Sequence, residues 1–497
     1  MVGRALNQPR GAGGGEAVGA GLLERTFKLS AWGTTAATEA LAGLTTFMVM
    51  AYIIFVNPTI LTATQQEVGF PGITTATCLV AGVMTLLMGL VTNRAFAIAP
   101  GLGINAVVAF QLVGGLRLSY AEAMGVIVTE GIIITLLVLV GLRRLVMEAI
   151  PTDLKKAISV GIGLFILFIG LNLAGLVVSI APAPNTPPLT MAPLKGWPIA
   201  VAVLGLLLTV VLMARNVRGA LLWGVLGTTA LAVLINYANG GTLWLTPDGR
   251  DLGIAKLPSR WVATPDFSTL GHFSFGYVAK LGLVSAALAV FTIMLADFFD
   301  TLGTLVGVGA QAGYLDERGQ LPEAQKPLLV DSLAAIAGGA AGTSSATSYI
   351  ESAAGIGVGG RTGLTAVVTG VLFLLAMPLW PIVGIVPKEA TAPALILVGF
   401  LMTGVLSERE AVGVDGERVV ARGIDFTNLA IGLPALATMM MMPLTYNITN
   451  GIGAGFLLYT FIRLVKGEWR QVHPALYAVS AVFLLYFLRE PLFGTTF

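Results

Sequence analysis

Apolar stretches long enough to cross about 30 Å of hydrocarbon, or half of it, recur along almost the whole chain. They fall near residues 36–60, 73–92, 97–113, 122–142, 157–179, 198–213 and 217–236, then near 281–309, 328–341, 348–358, 363–385, 391–406, 425–441 and 448–465, with one more at 474–488. So many stretches cannot hide in one aqueous core. Of the 497 residues 56% are apolar and 11% charged, against about 25% charged in a soluble domain. The pattern predicts an all-α integral protein of a lipid bilayer.

Residues 1–30 are glycine-rich and polar, with Arg4, Arg10, Arg25 and Lys28, and they lack the short apolar core of a signal peptide. A flexible tail held in the cytoplasm is the expectation. Gly13 to Gly15 do not make a phosphate loop, because no strand precedes them and no Lys-Ser/Thr pair follows. Threading the spans alternately gives the inner loops most of the Lys and Arg, among them Arg94, Arg143, Arg144, Lys155, Lys156, Arg215, Arg218, Arg318, Arg361 and Arg422. The outer loops keep mainly Arg117, Lys195, Arg250, Lys256, Arg260, Lys280 and Lys388, as the positive-inside rule requires. Cys78 is the only cysteine, which excludes disulfides and thiolate metal sites, and His272 and His473 fall in separate loops. No metal, cofactor or nucleic-acid partner is expected.

The longest hydrophilic break, about 238–278, divides the spans into seven and seven. An odd number per half inverts any repeated unit relative to the first, the plan of many secondary transporters. The third span of each half is short and preceded by backbone-permissive residues. APGLGINA at 99–106 joins Pro100, Gly101 and Gly103, and GTSSATSYIESAAG at 342–355 puts a small polar run, with Ser345, in the matching position. Each predicts an extended piece followed by a half-helix, leaving free N–H groups near the membrane midplane. Broken helices in corresponding positions point to a binding site.

Within the run 281–309, ADFFDTLGT sets Asp297, Asp300, Thr301 and Thr304 at i, i+3, i+4 and i+7, one face of a helix. Two carboxylates at membrane depth cost several kcal/mol unless solvated, paired or protonated, which favours function over bracing. Glu351 is a third acid. Ser348 to Glu351 has the S-x-x-E spacing of a capping box, so Glu351 either bonds the Ser348 N–H or receives a ligand, and the two roles are compatible. Asn105 either caps the first half-helix or offers its amide to a ligand. Glu130 has no second acid on its stripe and reads as a structural or interdomain group, and Glu39 and Asp331 read as interfacial. Asn447, Thr449 and Asn450 of MPLTYNITNGI read as a turn before a helix.

Taken together and in this order, APGLGINA, FTIMLADFFDTLGTLVGVG at 291–309, GTSSATSYIESAAG, GGRTGLTAVVTG at 359–370 and MPLTYNITNGI resemble the nucleobase:cation symporter-2 group, specifically its AzgA-like adenine, guanine and hypoxanthine permeases. The resemblance runs from about residue 22 to 490 and implies a UraA-like 7+7 inverted repeat of fourteen segments with half-helices in segments 3 and 10. It implies a core domain at 31–145 and 279–386, a gate domain at 146–237 and 387–470, an extracellular loop at 238–278, and an extra segment within 471–497. It further implies a multi-pass protein of the cell membrane that imports a purine with a proton; the core is expected to slide against the gate, and a homodimer is possible. On this resemblance the purine would be gripped by Asp297 and Glu351, supported by Asn105, Thr347 and Ser348 and by the backbone at Gly101, Gly103 and Ser345, and Asp297, Asp300 and Glu351 would carry the proton. A uracil, xanthine or anion carrier of the same fold is the alternative, and a membrane enzyme the remote one.

Overall fold

The structure, a computed structural model, describes residues 21–65, 67–141, 150–179, 189–245, 253–314, 321–406, 409–412, 418–421 and 423–493. Arg4, Arg10, Gly13 to Gly15, Arg143, Arg144, Arg250, Arg318 and Arg422 lie outside these residues. The principal elements of the first half are α1 Ala36–Met50, α2 Ile53–Leu61, α3 Phe70–Thr92, β1 Ile98–Pro100, α4 Leu102–Ala106, α5 Tyr120–Leu139, α6 Thr152–Leu173, α7 Trp197–Ala214 and α8 Ala220–Ala238. The second half contributes α9 Leu283–Ala312, α10 Gln325–Ala341, β2 Ala346–Ser348, α11 Ser352–Gly357, α12 Gly363–Ala376, α13 Lys388–Met402, α14 Leu429–Leu444, α15 Ile448–Val465 and α16 Pro474–Phe493. Among the described residues nine helices are long and apolar enough to cross a membrane, α1 and α2 counting as one.

Several boundaries differ from the sequence reading, each for a local reason. The expected span 157–179 runs instead from Thr152 to Leu173, because Pro151 stands at its N-cap and Gly175, at φ +70°, ends it in the left-handed region. Beyond it, Val177–Ser179 pairs with Leu189–Met191 in a small hairpin. Helix α10 starts at Gln325, so Asp331 lies inside it rather than at its end. The trailing segment extends to Phe493 and packs on α15, with Phe483 edge-on to Phe456 at 6.0 Å and Thr460 bonded to Ser480 at 2.8 Å.

The helices pack chiefly in two groups, α1–α5 with α9–α12 and α6–α8 with α13–α15. Between membrane helices no hydrophobic force acts, so close contact depends on small residues that let backbones approach. In the first group a Cβ at Gly363 would stand 2.0 Å from the Gly89 carbonyl oxygen, and in the second a Cβ at Gly399 would stand 2.4 Å from that of Gly163. Residues 253–276 lie over the helix ends, where Ser274 N–H donates to the Ala121 carbonyl and Gly271 N–H to that of Ala340.

Gly363→Ala must therefore push α3 and α12 apart and is expected to cost about 1–3 kcal/mol. Gly384→Ala, whose Cβ would meet nothing within 4 Å, is the control. Thermal unfolding in detergent checks both, and equal melting temperatures for the two variants would contradict this packing.

Candidate functional site

Strands β1 and β2 stand where an uninterrupted span would carry helix. They pair antiparallel, with Ile98 opposite Ser348 and Pro100 opposite Ala346, so each satisfies backbone groups of the other. Side chains complete the pairing. Thr85 Oγ1 donates to the Ile98 carbonyl and accepts from its N–H, both at 2.9 Å, and Ser352 Oγ accepts from the Ala97 N–H at 2.9 Å. All six strand residues are buried in protein, the condition under which non-helical backbone is tolerated at membrane depth. The Gly101 N–H, expected to be free, donates to the Ser345 carbonyl at 2.9 Å. Gly103 is the second residue of α4, where helical geometry supplies no intrahelical acceptor for its N–H. Its missing side chain also admits α6, since a Cβ there would meet Ile162 Cγ2 at 2.6 Å.

Helix α9 aims its polar stripe at this strand pair, and the acids divide into two sets. Asp297 is 1% exposed and lies near Glu130 of α5, Asp331 and Asp300. Asp300 and Glu351 lie close to one another and are only partly covered. Tyr52, at the turn between α1 and α2, donates its hydroxyl to Glu351 Oε1 at 2.7 Å. Asn105 is fully buried on α4, and neither end of its amide has a hydrogen-bond partner among the described residues.

Four sequence expectations are corrected. Ser348 and Glu351 form no capping box: the Ser348 N–H and hydroxyl both donate to Asp331 Oδ1 at 2.8 Å, and Glu351 takes Tyr52 instead. Asn105 caps nothing, because α4 begins at Leu102 with Gly101 as its N-cap. Glu130 does meet a second acid, Asp297, supplied by another helix rather than by its own stripe. Glu39 and Asp331 are buried, not interfacial. Glu39 accepts from the N–H groups of Arg361, Thr362 and Thr365 and so neutralises the amino end of α12. Asp331 also accepts from Thr301 Oγ1 at 2.5 Å, and Thr301 meets Thr347 Oγ1 at 2.7 Å. The hydroxyls of Thr347 and Ser348 thus serve the network around Asp331, which holds β2 against α9.

The family model described as "Permease family" matches residues 37–433. The chain belongs to this permease family. It falls within the nucleobase:cation symporter-2 group and is an integral membrane transporter rather than an enzyme. The permease is similar to the adenine permease AdeP of Escherichia coli, 38% identical over 94% of this chain and 96% of that one. It is also similar to the guanine/hypoxanthine permease PbuG of Bacillus subtilis, 36% identical over 94% and 99%. Among the solved structures that share its fold are the transmembrane domain of the cyanobacterial bicarbonate transporter BicA, with TM-score 0.55 and 15% identity over 84% of this chain and 96% of that one, and the murine anion transporter Slc26a9 in its inward-facing state, with TM-score 0.56 and 11% identity over 93% and 76%.

In the permease an amide at position 331 would turn the Thr301 hydroxyl away and replace the charge-assisted bonds from Ser348 by weaker neutral ones. Asp331→Asn is expected to lose about 1–3 kcal/mol of stability, read by thermal unfolding. A variant as stable as the parent would contradict the bracing role.

Proposed function

We propose that this permease imports purine nucleobases (adenine, guanine or hypoxanthine) across the cell membrane together with a proton. The observation that carries the reading is the gathering of Asp297, Asp300 and Glu351, with the unpaired Asn105 amide, beside two interrupted spans of a chain whose relatives are named as adenine and guanine/hypoxanthine permeases. A neutral purine presents ring N–H donors to carboxylates and ring nitrogen or carbonyl acceptors to an amide. Leaving a buried amide unpaired costs about 1–3 kcal/mol per group, a cost that a ligand removes. An anion would meet three acids here and be repelled, which argues against cargo of the kind named for the two solved relatives.

The acids also account for the proton. Two ionised carboxylates buried side by side repel one another, so Asp297 beside Glu130 favours one proton held between them. Asp331, by contrast, receives three donors and is matched as an anion. A neutral base leaves the remaining negative charge unbalanced, so base and proton bind together more favourably than either alone, which is coupling.

The fourteen spans form a 7+7 inverted repeat in this reading, α4 and α11 serve as its half-helices, and the amino terminus is cytoplasmic. The group α1–α5 with α9–α12 is the core, and α6–α8 with α13–α15 the gate. The core slides against the gate to expose the site to each side in turn. The helical segment Val107–Gly115 continues α4 on the core side; from it Gln111 Nε2 donates to Thr449 Oγ1 at 2.8 Å across that seam, and Phe110 meets Tyr446 edge-on at 5.3 Å.

Asp297→Asn and Glu351→Gln are each expected to lower radiolabelled purine uptake more than about tenfold, while membrane abundance stays unchanged, since each removes a charged hydrogen-bond partner. Normal uptake by both would move the site elsewhere. In a Cys78→Ala background, crosslinking cysteines at positions 111 and 449 should stop uptake while purine still binds. Unimpaired uptake by the crosslinked protein would remove the sliding mechanism.

A further inference from the structure

We propose that Tyr52 is the positioning residue that fixes Glu351 for the base, an inference resting on the reading of Glu351 as a purine-contacting acid. Tyr52 is fully buried where the first span breaks between α1 and α2. Its hydroxyl donates to Glu351 Oε1 at 2.7 Å, and Tyr349 and Asp300 lie close by.

Little else in the local chain holds this acid. Glu351 stands at the N-cap of α11, a helix of six residues with no side-chain cap. The stiffness comes from α1, which runs along the whole 351–365 segment. At one end the Glu39 carboxylate accepts from the Arg361, Thr362 and Thr365 N–H groups. In the middle Gly355 lies so near α1 that a Cβ would meet Thr46 Oγ1 at 2.1 Å and the Ala42 carbonyl oxygen at 2.6 Å. At the other end stands Tyr52, the one of these three contacts that reaches the acid itself.

A glutamate side chain turns about three bonds, and ordering it from solvent-like freedom on each binding event weakens binding. A rigid phenol donating to one oxygen removes that freedom beforehand. A carboxylate has about four acceptor positions. With the Tyr52 hydroxyl as donor, Glu351 retains room for a purine N–H. Tyr52 and Glu351 belong to the same packed group, so their bond travels with the site and need not break during the sliding step. Its loss must then weaken binding and spare the rate of translocation.

The test uses the full chain purified into proteoliposomes, as wild type, Tyr52→Phe and Glu351→Gln, with uptake of radiolabelled adenine, guanine and hypoxanthine measured over a range of concentrations. Tyr52→Phe keeps the ring and deletes only the hydroxyl. For the base that the wild type transports, KM should rise about tenfold in Tyr52→Phe, as expected for losing a hydrogen bond to a charged group, while the maximal rate stays within about twofold. An unchanged KM overturns the proposal. So does a maximal rate that falls as far as KM rises, because that marks a general structural defect. Glu351→Gln separates this inference from the one beneath it: normal uptake by that variant overturns the site reading, whereas its failure beside an unaltered Tyr52→Phe overturns only the role of Tyr52.

Discussion

Backbone N–H and C=O groups cannot be left bare in hydrocarbon, where each costs several kcal/mol, and this constraint governs how the chain may interrupt a span. Ile98–Pro100 and Ala346–Ser348 meet it by pairing with each other, although they come from opposite halves of the sequence. Without that pairing neither α4 nor α11 could begin inside the protein. With it, Asn105 and Glu351 stand at depth beside the acids of α9. The pairing is itself held by ordinary side chains, notably Thr85 on one strand and Asp331 on the other.

The arrangement separates two kinds of acid. Asp331 and Glu39 are surrounded by donors and act as buried anions that fix backbone. Asp300 and Glu351 are partly accessible, and Asp297 is buried against Glu130. A carboxylate that braces must be fully matched by donors, whereas one that works must have capacity left over. The pattern of hydrogen bonds, more than depth in the membrane, distinguishes the two.

Much of this was legible in the sequence, and the misses have physical causes. Apolar length marked the nine helices long and apolar enough to cross a membrane among the described residues, and Pro100 with Gly101 and Gly103 marked the first interruption, because proline and glycine act on their own backbone. The S-x-x-E spacing did not transfer. Ser119 and Glu122 do form a capping box at the start of α5, but the same spacing at Ser348 and Glu351 does not, since Asp331 and Tyr52 from distant helices bind those groups first. Tyr52 was invisible as an isolated aromatic in an apolar run. Glu130 and Asp297 are 167 positions apart in the chain and share no helical face, so no periodicity could join them. Asp331 was misjudged by a boundary only three residues out, 328 against Gln325.

The account stands on a base and a proton meeting at acids inside the membrane. The most direct measurement is radiolabelled purine uptake into proteoliposomes of the purified protein under an imposed pH gradient, an imposed Na⁺ gradient, or neither. Accumulation above equilibrium when the lumen is alkaline, and collapse of that accumulation on adding a protonophore, is the predicted result. Uptake that only equilibrates, with the same time course under every gradient, would contradict it.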